Sequence, residues 1–239
     1  MKIVIVGGGL AGTELALALG REGHSVTLVD RDPEVARRRF EEQGLATLVG
    51  DGTEPRLLER ANVGRADVVA AMLRRDADNL AIASIARTLG AARVLARLRE
   101  PAYRPIYARA GIDQVFGEVE TMVGALGVAI QHPRIRHSMG LGAGRTIAFD
   151  VEVESSAWAA GKTIREIGTA PEFPRGAVIA GILAPSGEFE APRGDSIVPS
   201  GSSLLVVARA EEVAPTIALL ARESDLGAQR SAQQRKPVE

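Results

Sequence analysis

Cysteine is absent from the 239 residues, which excludes disulfides, thiolate metal sites and cysteine nucleophiles. An excess of charge of either sign is missing as well: 29 Lys and Arg stand against 30 Asp and Glu, a formal net charge of -1. That balance leaves nothing to neutralise many phosphates at once and argues against a nucleic-acid partner. No uncharged apolar run approaches the roughly 20 residues a membrane helix needs, and the first strand starts at the second residue, leaving no room for a signal peptide. The expectation is a cytoplasmic protein with no direct membrane insertion, any membrane role coming through a partner. His24, His132 and His137 fall at spacings that suggest no metal site. Hydrophobic residues at 46% and charged residues at 25% are ordinary for a globular chain, long enough here for two modest domains.

What is present begins with MKIVIVGGGLAGTELALALGREGHSVTLVD. It reads as a strand, a glycine-rich turn, a helix and a second strand ending in Asp30. Gly7, Gly9 and Gly12 have the G-x-G-x-x-G spacing: one for the tight turn, one for close approach of the backbone to phosphate, one for helix-on-strand packing. Backbone N–H groups of Gly9, Leu10, Ala11 and Gly12 open the helix and make an anion cradle that needs no side chain. Asp30 stands where a carboxylate accepts from ribose hydroxyls and repels a 2'-phosphate, favouring NAD(H) or an unmodified adenosine nucleotide over NADP. Arg31 is placed with this site, a solvated side chain being the competing reading. The bland alternative for the motif is a turn that kept its glycines for packing.

From Lys2 to about Ile130, short β-branched runs alternate with longer helical ones, the pattern of a parallel sheet with helices on both faces. Strands are expected near Lys2 to Val6, Ser25 to Val29, Ala46 to Val49, Asp67 to Ala71, Arg93 to Leu98 and Gln114 to Phe116. Helices fall between them, including one from Pro101 to Ala110, with a last one from about Glu118 to Ile130. Asp32 before Pro33 is a helix cap. Residues 131–144, with a proline, glycines and no periodicity, read as a linker. A smaller α+β domain follows over 145–221, with strands in TIAFDVEV, GAVIAGILA and SSLLVVARA, a turn in PSGEFEAP and a closing helix. The polar, aperiodic residues 222–239 read as a disordered tail. The fold class is therefore α/β: a Rossmann-like N-domain with a smaller α+β C-terminal domain.

Further candidates lie at the carboxyl edge of the expected sheet, where open α/β folds bind ligands. Asp51 and Thr53 follow the third strand within reach of an adenosine, and Thr53 is equally suited to cap the helix that starts at Glu54 and Pro55. Arg97 ends the fifth strand and shares a face with Arg99; it either supplies the charge the glycine turn lacks or is solvated. Asp76 and Asp78 read as a cap and a dipole partner of the next helix. A dehydrogenase needs a proton donor, yet Tyr103 and Tyr107 have no lysine beside them and the second domain holds only Lys162. That pattern argues against an enzyme and for a nucleotide used as a regulatory ligand. An NAD-dependent oxidoreductase acting on a small substrate is the alternative.

The order of segments, GDGTEPRLLERANVGRADVVAAM, RDADNL, ARLREPAY, AGIDQVFGE and APRGDSIVPSGSSLLVV after the glycine turn, resembles the TrkA-like regulatory subunits of the Trk and Ktr potassium uptake systems. The resemblance covers about residues 1 to 221. It implies an RCK N-domain that binds NAD(H), ADP or ATP, and an RCK C-domain. It also implies homodimers assembling into a tetramer or larger ring on the cytoplasmic face of a membrane-embedded potassium-translocating subunit. By position, Gly7, Gly9 and Gly12 match the phosphate turn, Asp30 the ribose carboxylate, Asp51 and Thr53 the adenosine loop, and Arg97 the basic residue of the cleft. Glu118 matches an acidic residue near the phosphates or an associated cation, and the helix from Thr121 to Ile130 matches a segment that crosses to a partner subunit. Two departures stand out: Leu10 occupies a place where some Ktr-type members carry arginine, and Gly201 is followed by Ser202 rather than aspartate. A cytoplasmic regulator of a potassium channel is a further reading of the same resemblance.

Overall fold

The structure, a computed structural model, describes residues 1–141 and 145–223. It divides into two compact units, residues 1–120 and 121–239. In the first unit the chain alternates β1 (Lys2–Val6), α1 (Leu10–Arg21), β2 (Ser25–Asp30), α2 (Pro33–Gln43), β3 (Ala46–Val49) and α3 (Pro55–Arg60). It continues with β4 (Val68–Ala71), α4 (Asp76–Thr88), β5 (Val94–Leu98), α5 (Arg104–Arg109), β6 (Gln114–Gly117) and the start of α6 (Glu118–Gln131). All five strand pairings are parallel, in the order β3-β2-β1-β4-β5-β6.

Alternation along each strand builds this unit, because successive side chains leave a strand on opposite faces. On β1, Val4 and Val6 enter the core that also holds Leu58, Ile82 and Tyr107. Ile3 and Ile5 enter the opposite core with Ala16, Val26 and Leu28. On β4, Val69 and Ala71 follow the first pair while Val68 and Ala70 follow the second. A sheet covered on both faces reads as a continuous apolar run, which is what VVAA and KIVIV show. Asp32 caps α2 as its sequence predicts, accepting from the N–H groups of Glu34 and Val35.

The reversal of strand order puts a crevice at the carboxyl ends of β1 and β4, with β2 and β3 on one side and β5 and β6 on the other. The single helix expected from Pro101 to Ala110 is instead a 3-10 turn, Pro101–Tyr103, followed by α5. Pro105 has no N–H to continue a ladder and sits in the first turn of α5, where none is needed.

The second unit holds an antiparallel sheet of β7 (Ser138–Leu141), β8 (Thr146–Val153), β9 (Val178–Leu183), β10 (Phe189–Glu190) and β11 (Ser202–Arg209) in the order β10-β9-β11-β8-β7. Helices α7 (Ile164–Gly168) and α8 (Val213–Leu220) accompany it. Phe149, Val151 and Val153 of β8 and Leu204, Val206 and Ala208 of β11 point to one buried face shared with Ile217 and Leu220 of α8. The sequence-based linker needs correction here. Ser138–Leu141 form an edge strand antiparallel to β8, and a short strand with a glycine and one solvent face carries no periodicity to betray it. The rest of that linker at 142–144 lies outside the described residues, as does the expected disordered tail from 224 onward. Arg222, assigned to the tail, accepts the Trp158 N–H at 2.6 Å through its carbonyl.

Candidate functional site

The carboxyl ends of the parallel strands enclose a cleft of about 670 Å³. All eleven site residues expected from the sequence, Gly7, Gly9, Leu10, Ala11, Gly12, Asp30, Arg31, Asp51, Thr53, Arg97 and Glu118, are among its lining residues.

Each glycine of the turn has its own reason. Gly7 has φ +124, in the region that L side chains avoid, and its N–H donates to the Val29 carbonyl at 2.8 Å. A Cβ on Gly12 would stand 1.9 Å from the Gly7 carbonyl oxygen, so only glycine lets α1 lie this close to β1. A Cβ on Gly9 would meet nothing within 4 Å. Gly9 therefore offers bare backbone at the N-cap of α1, with no side chain to cap the helix and no acidic residue in its first turn. The unpaired N–H groups there carry the helix's partial positive charge. Thr13, buried, fixes the turn from behind by donating its hydroxyl to the Gly8 carbonyl at 3.0 Å.

Asp30 is held by two backbone donors. One carboxylate oxygen accepts the Gly8 N–H at 2.6 Å and the other accepts the Asp32 N–H at 2.9 Å. Each oxygen keeps acceptor capacity for a further hydroxyl. A Cβ on Gly8 would lie 3.0 Å from this carboxylate, so Gly8, outside the three-glycine spacing, also matters. After β3, Asp51 accepts both the N–H and the hydroxyl of Thr53, at 2.9 and 2.7 Å, and those bonds hold its carboxyl below its ordinary pKa. The alternative reading of Thr53 as a helix cap is thereby corrected: Glu54 is the N-cap of α3 and makes no side-chain cap bond. Thr53 turns back to Asp51, because an Asp two residues ahead competes for the same hydroxyl.

Across the crevice, α4 ties down the ends of β4 and β5. Asn79 accepts the Leu73 N–H at 2.8 Å and donates to the carbonyls of Leu73 and Arg97 at 3.0 and 3.1 Å. Asp76 was expected to cap α4, but the N-cap is Arg75. Asp76 is instead buried and accepts the N–H groups of Arg99 and Glu100 at 2.9 and 2.8 Å. Tyr107, fully buried, donates its hydroxyl within 3.1 Å of Asp76 and of the Arg97 carbonyl. Burial and the Asp76 carboxylate push this phenol above its usual pKa. The chain thus leaves β5 in a fixed direction. The Arg97 side chain, 19% exposed, donates through Nε to Glu118 at 2.8 Å. Arg99, placed on the same face by the strand period, falls beyond the end of β5 and does not line the cleft.

Arg74 and Arg75 also line the cleft and were missed. The available signal was a pair of cations immediately after the fourth strand, at the edge where ligands bind. Among the described residues, no group of three or more His, Cys, Asp or Glu is arranged to hold a metal ion, and no helix is long and apolar enough to cross a membrane.

The comparisons with known proteins agree with this architecture. A TrkA-N domain matches residues 3–118 and a TrkA-C domain residues 149–221. The Trk system potassium uptake protein TrkA homolog of Methanothermobacter thermautotrophicus is 28% identical over 89% of this chain and 96% of its own length. Among solved structures, the GsuK channel bound to NAD superposes with a TM-score of 0.65 at 22% identity, over 99% of this chain and 44% of that one. GsuK bound to ADP superposes with a TM-score of 0.50 at 22% identity, over 56% of this chain and 35% of that one. The chain thus spans less than half the length of either GsuK chain, and at this identity the likeness is one of fold. With a TrkA-N domain around the glycine turn and a TrkA-C domain on the antiparallel sheet, the chain belongs to the TrkA family.

Proposed function

We propose that this protein is a cytoplasmic, nucleotide-sensing regulatory subunit that gates a membrane-embedded potassium uptake transporter of the Trk/Ktr type. The observation that carries the reading is the convergence of the glycine turn, Asp30, Asp51 and Arg97 on one cleft. In it, Asp30 and the Asp51–Thr53 pair hold the adenosine, while the N–H groups from Gly9 to Gly12 hold the phosphates. The ligand is an adenine nucleotide, NAD(H), ADP or ATP. The solved GsuK structures are described as bound to NAD and to ADP, which supports this class.

The nucleotide acts as a signal rather than a reagent. Tyr107 spends its hydroxyl on Asp76 and the Arg97 carbonyl inside the core and is not positioned to pass a proton to a substrate. Gating follows from differential affinity alone: a nucleotide that binds one arrangement of the assembly more tightly moves the population toward it. The assembly is a homodimer built on α6, whose residues from Thr121 to Gln131 carry no charge and none of whose residues is fully buried in the isolated chain. These dimers form a tetramer or larger ring against the potassium-translocating subunit.

Calorimetric titration of the purified protein with NAD+, NADH, ADP and ATP tests the reading. Binding that is lost in Asp30→Ala with the thermal transition retained is the expected result, and failure of all four nucleotides to bind would sink it.

A further inference from the structure

We propose that Arg74, at the carboxyl end of β4, sets the ligand preference of the cleft: it selects a nucleotide whose phosphate chain runs past the first phosphate to a free end, and disfavours the oxidised dinucleotide. The inference rests on the reading of the cleft as a nucleotide site. Strand order fixes the direction of a bound ligand. A ribose on Asp30 at the end of β2 and phosphates on the turn after β1 put the remainder of the molecule over the ends of β4 and β5. The two halves of the cleft differ in charge. On the β2 and β3 side stand Asp30 and Asp51 with Arg31, suited to ribose hydroxyls. On the β4 and β5 side stand Arg74, Arg75 and Arg97 with Asp78 and Glu118.

Two of those three arginines are engaged. Arg75 lies 3.7 Å from Asp78, and Arg97 donates to Glu118 at 2.8 Å. Arg74 is exposed and makes no hydrogen bond or ion pair among the described residues. The far half of the cleft therefore carries one uncompensated positive charge beside the positive end of α1. The third phosphate of ATP, or the terminal phosphate of ADP, satisfies that charge. In NAD+ the same position follows two phosphates with a ribose and a cationic nicotinamide ring, which Arg74 repels, whereas the reduced ring of NADH is neutral. A charge-assisted hydrogen bond of this kind at an exposed arginine amounts to about tenfold in affinity.

The test is calorimetric titration of the full chain and its Arg74→Gln and Arg74→Lys variants with AMP, ADP, ATP, NAD+ and NADH, in metal-free buffer at one ionic strength. The wild type is expected to bind ATP and ADP more tightly than AMP, and NADH more tightly than NAD+. Arg74→Gln should lose about tenfold for ATP, keep AMP within twofold and narrow the gap between NADH and NAD+, while Arg74→Lys keeps the ordering. Because Arg74 is exposed and makes no hydrogen bond or ion pair among the described residues, both variants should melt as the wild type does. An ATP affinity unchanged in Arg74→Gln, or AMP weakened as much as ATP, would overturn the proposal and leave the nucleotide site standing. No binding of any nucleotide to the wild type would overturn both.

Discussion

Gly9 and Gly12 of the glycine turn make opposite demands, and the difference can be measured. At Gly12 a methyl group would meet the Gly7 carbonyl oxygen at 1.9 Å, a backbone atom that cannot swing away. Gly12→Ala should therefore lower stability by at least the ~1–3 kcal/mol typical of overpacking, seen as a lower midpoint in urea. At Gly9 the added methyl meets nothing of the protein within 4 Å, and φ is -64, a value alanine adopts freely. Gly9→Ala should melt like the wild type yet bind nucleotide more weakly, because the methyl would occupy the place proposed for the phosphate. Equal loss of stability in the two variants would contradict this division. The spacing of Gly7, Gly9 and Gly12 was legible because a turn between strand and helix has few solutions. Gly8 and Arg74 were not, since their importance comes from Asp30 and from an adjoining strand end that only the sheet brings near.

Among the elements, long periodic segments announced themselves and side-chain partners did not. The six parallel strands could be read from runs such as KIVIV and VVAA because both faces of the sheet are covered. Asp76 misled because an Asp opening a helix is the ordinary sign of a cap. Here the sequence-distant N–H groups of Arg99 and Glu100, more than 20 residues on, claim its carboxylate. Asn79 belongs to the same clamp, joining α4 to the ends of β4 and β5 through three hydrogen bonds. Asn79→Ala leaves the Leu73 and Arg97 backbone groups short of partners in a part-buried setting, each such loss costing about 1–3 kcal/mol. The expected result is a urea midpoint lowered by at least one such loss, with the slope of the transition unchanged, and a larger loss of affinity for ATP than for AMP because the Leu73 backbone leading into Arg74 is no longer fixed. Wild-type stability in this variant would show that the clamp holds nothing.

For the whole molecule, α6 is the element that the isolated chain leaves unexplained. It runs for 14 residues and none of them is buried. Met122, Val123, Leu126 and Ile130 fall on one stripe at spacings of three and four and are 53–78% exposed. A helix with so little charge is stable in water when a second surface covers it, and covering each such side chain contributes roughly 1.5–3 kcal/mol. Covering the same stripe on two copies at once is the arrangement that a twofold dimer provides. The double variant Leu126→Glu, Ile130→Glu places four carboxylates in that contact and should convert the proposed dimer to a monomer by sedimentation equilibrium. Nucleotide affinity should survive at least in part, because neither residue lines the cleft. A wild-type mass retained in the variant would move the dimer contact to another surface, whereas a monomeric variant that binds ATP would separate the sensing of the nucleotide from the assembly that passes the signal on.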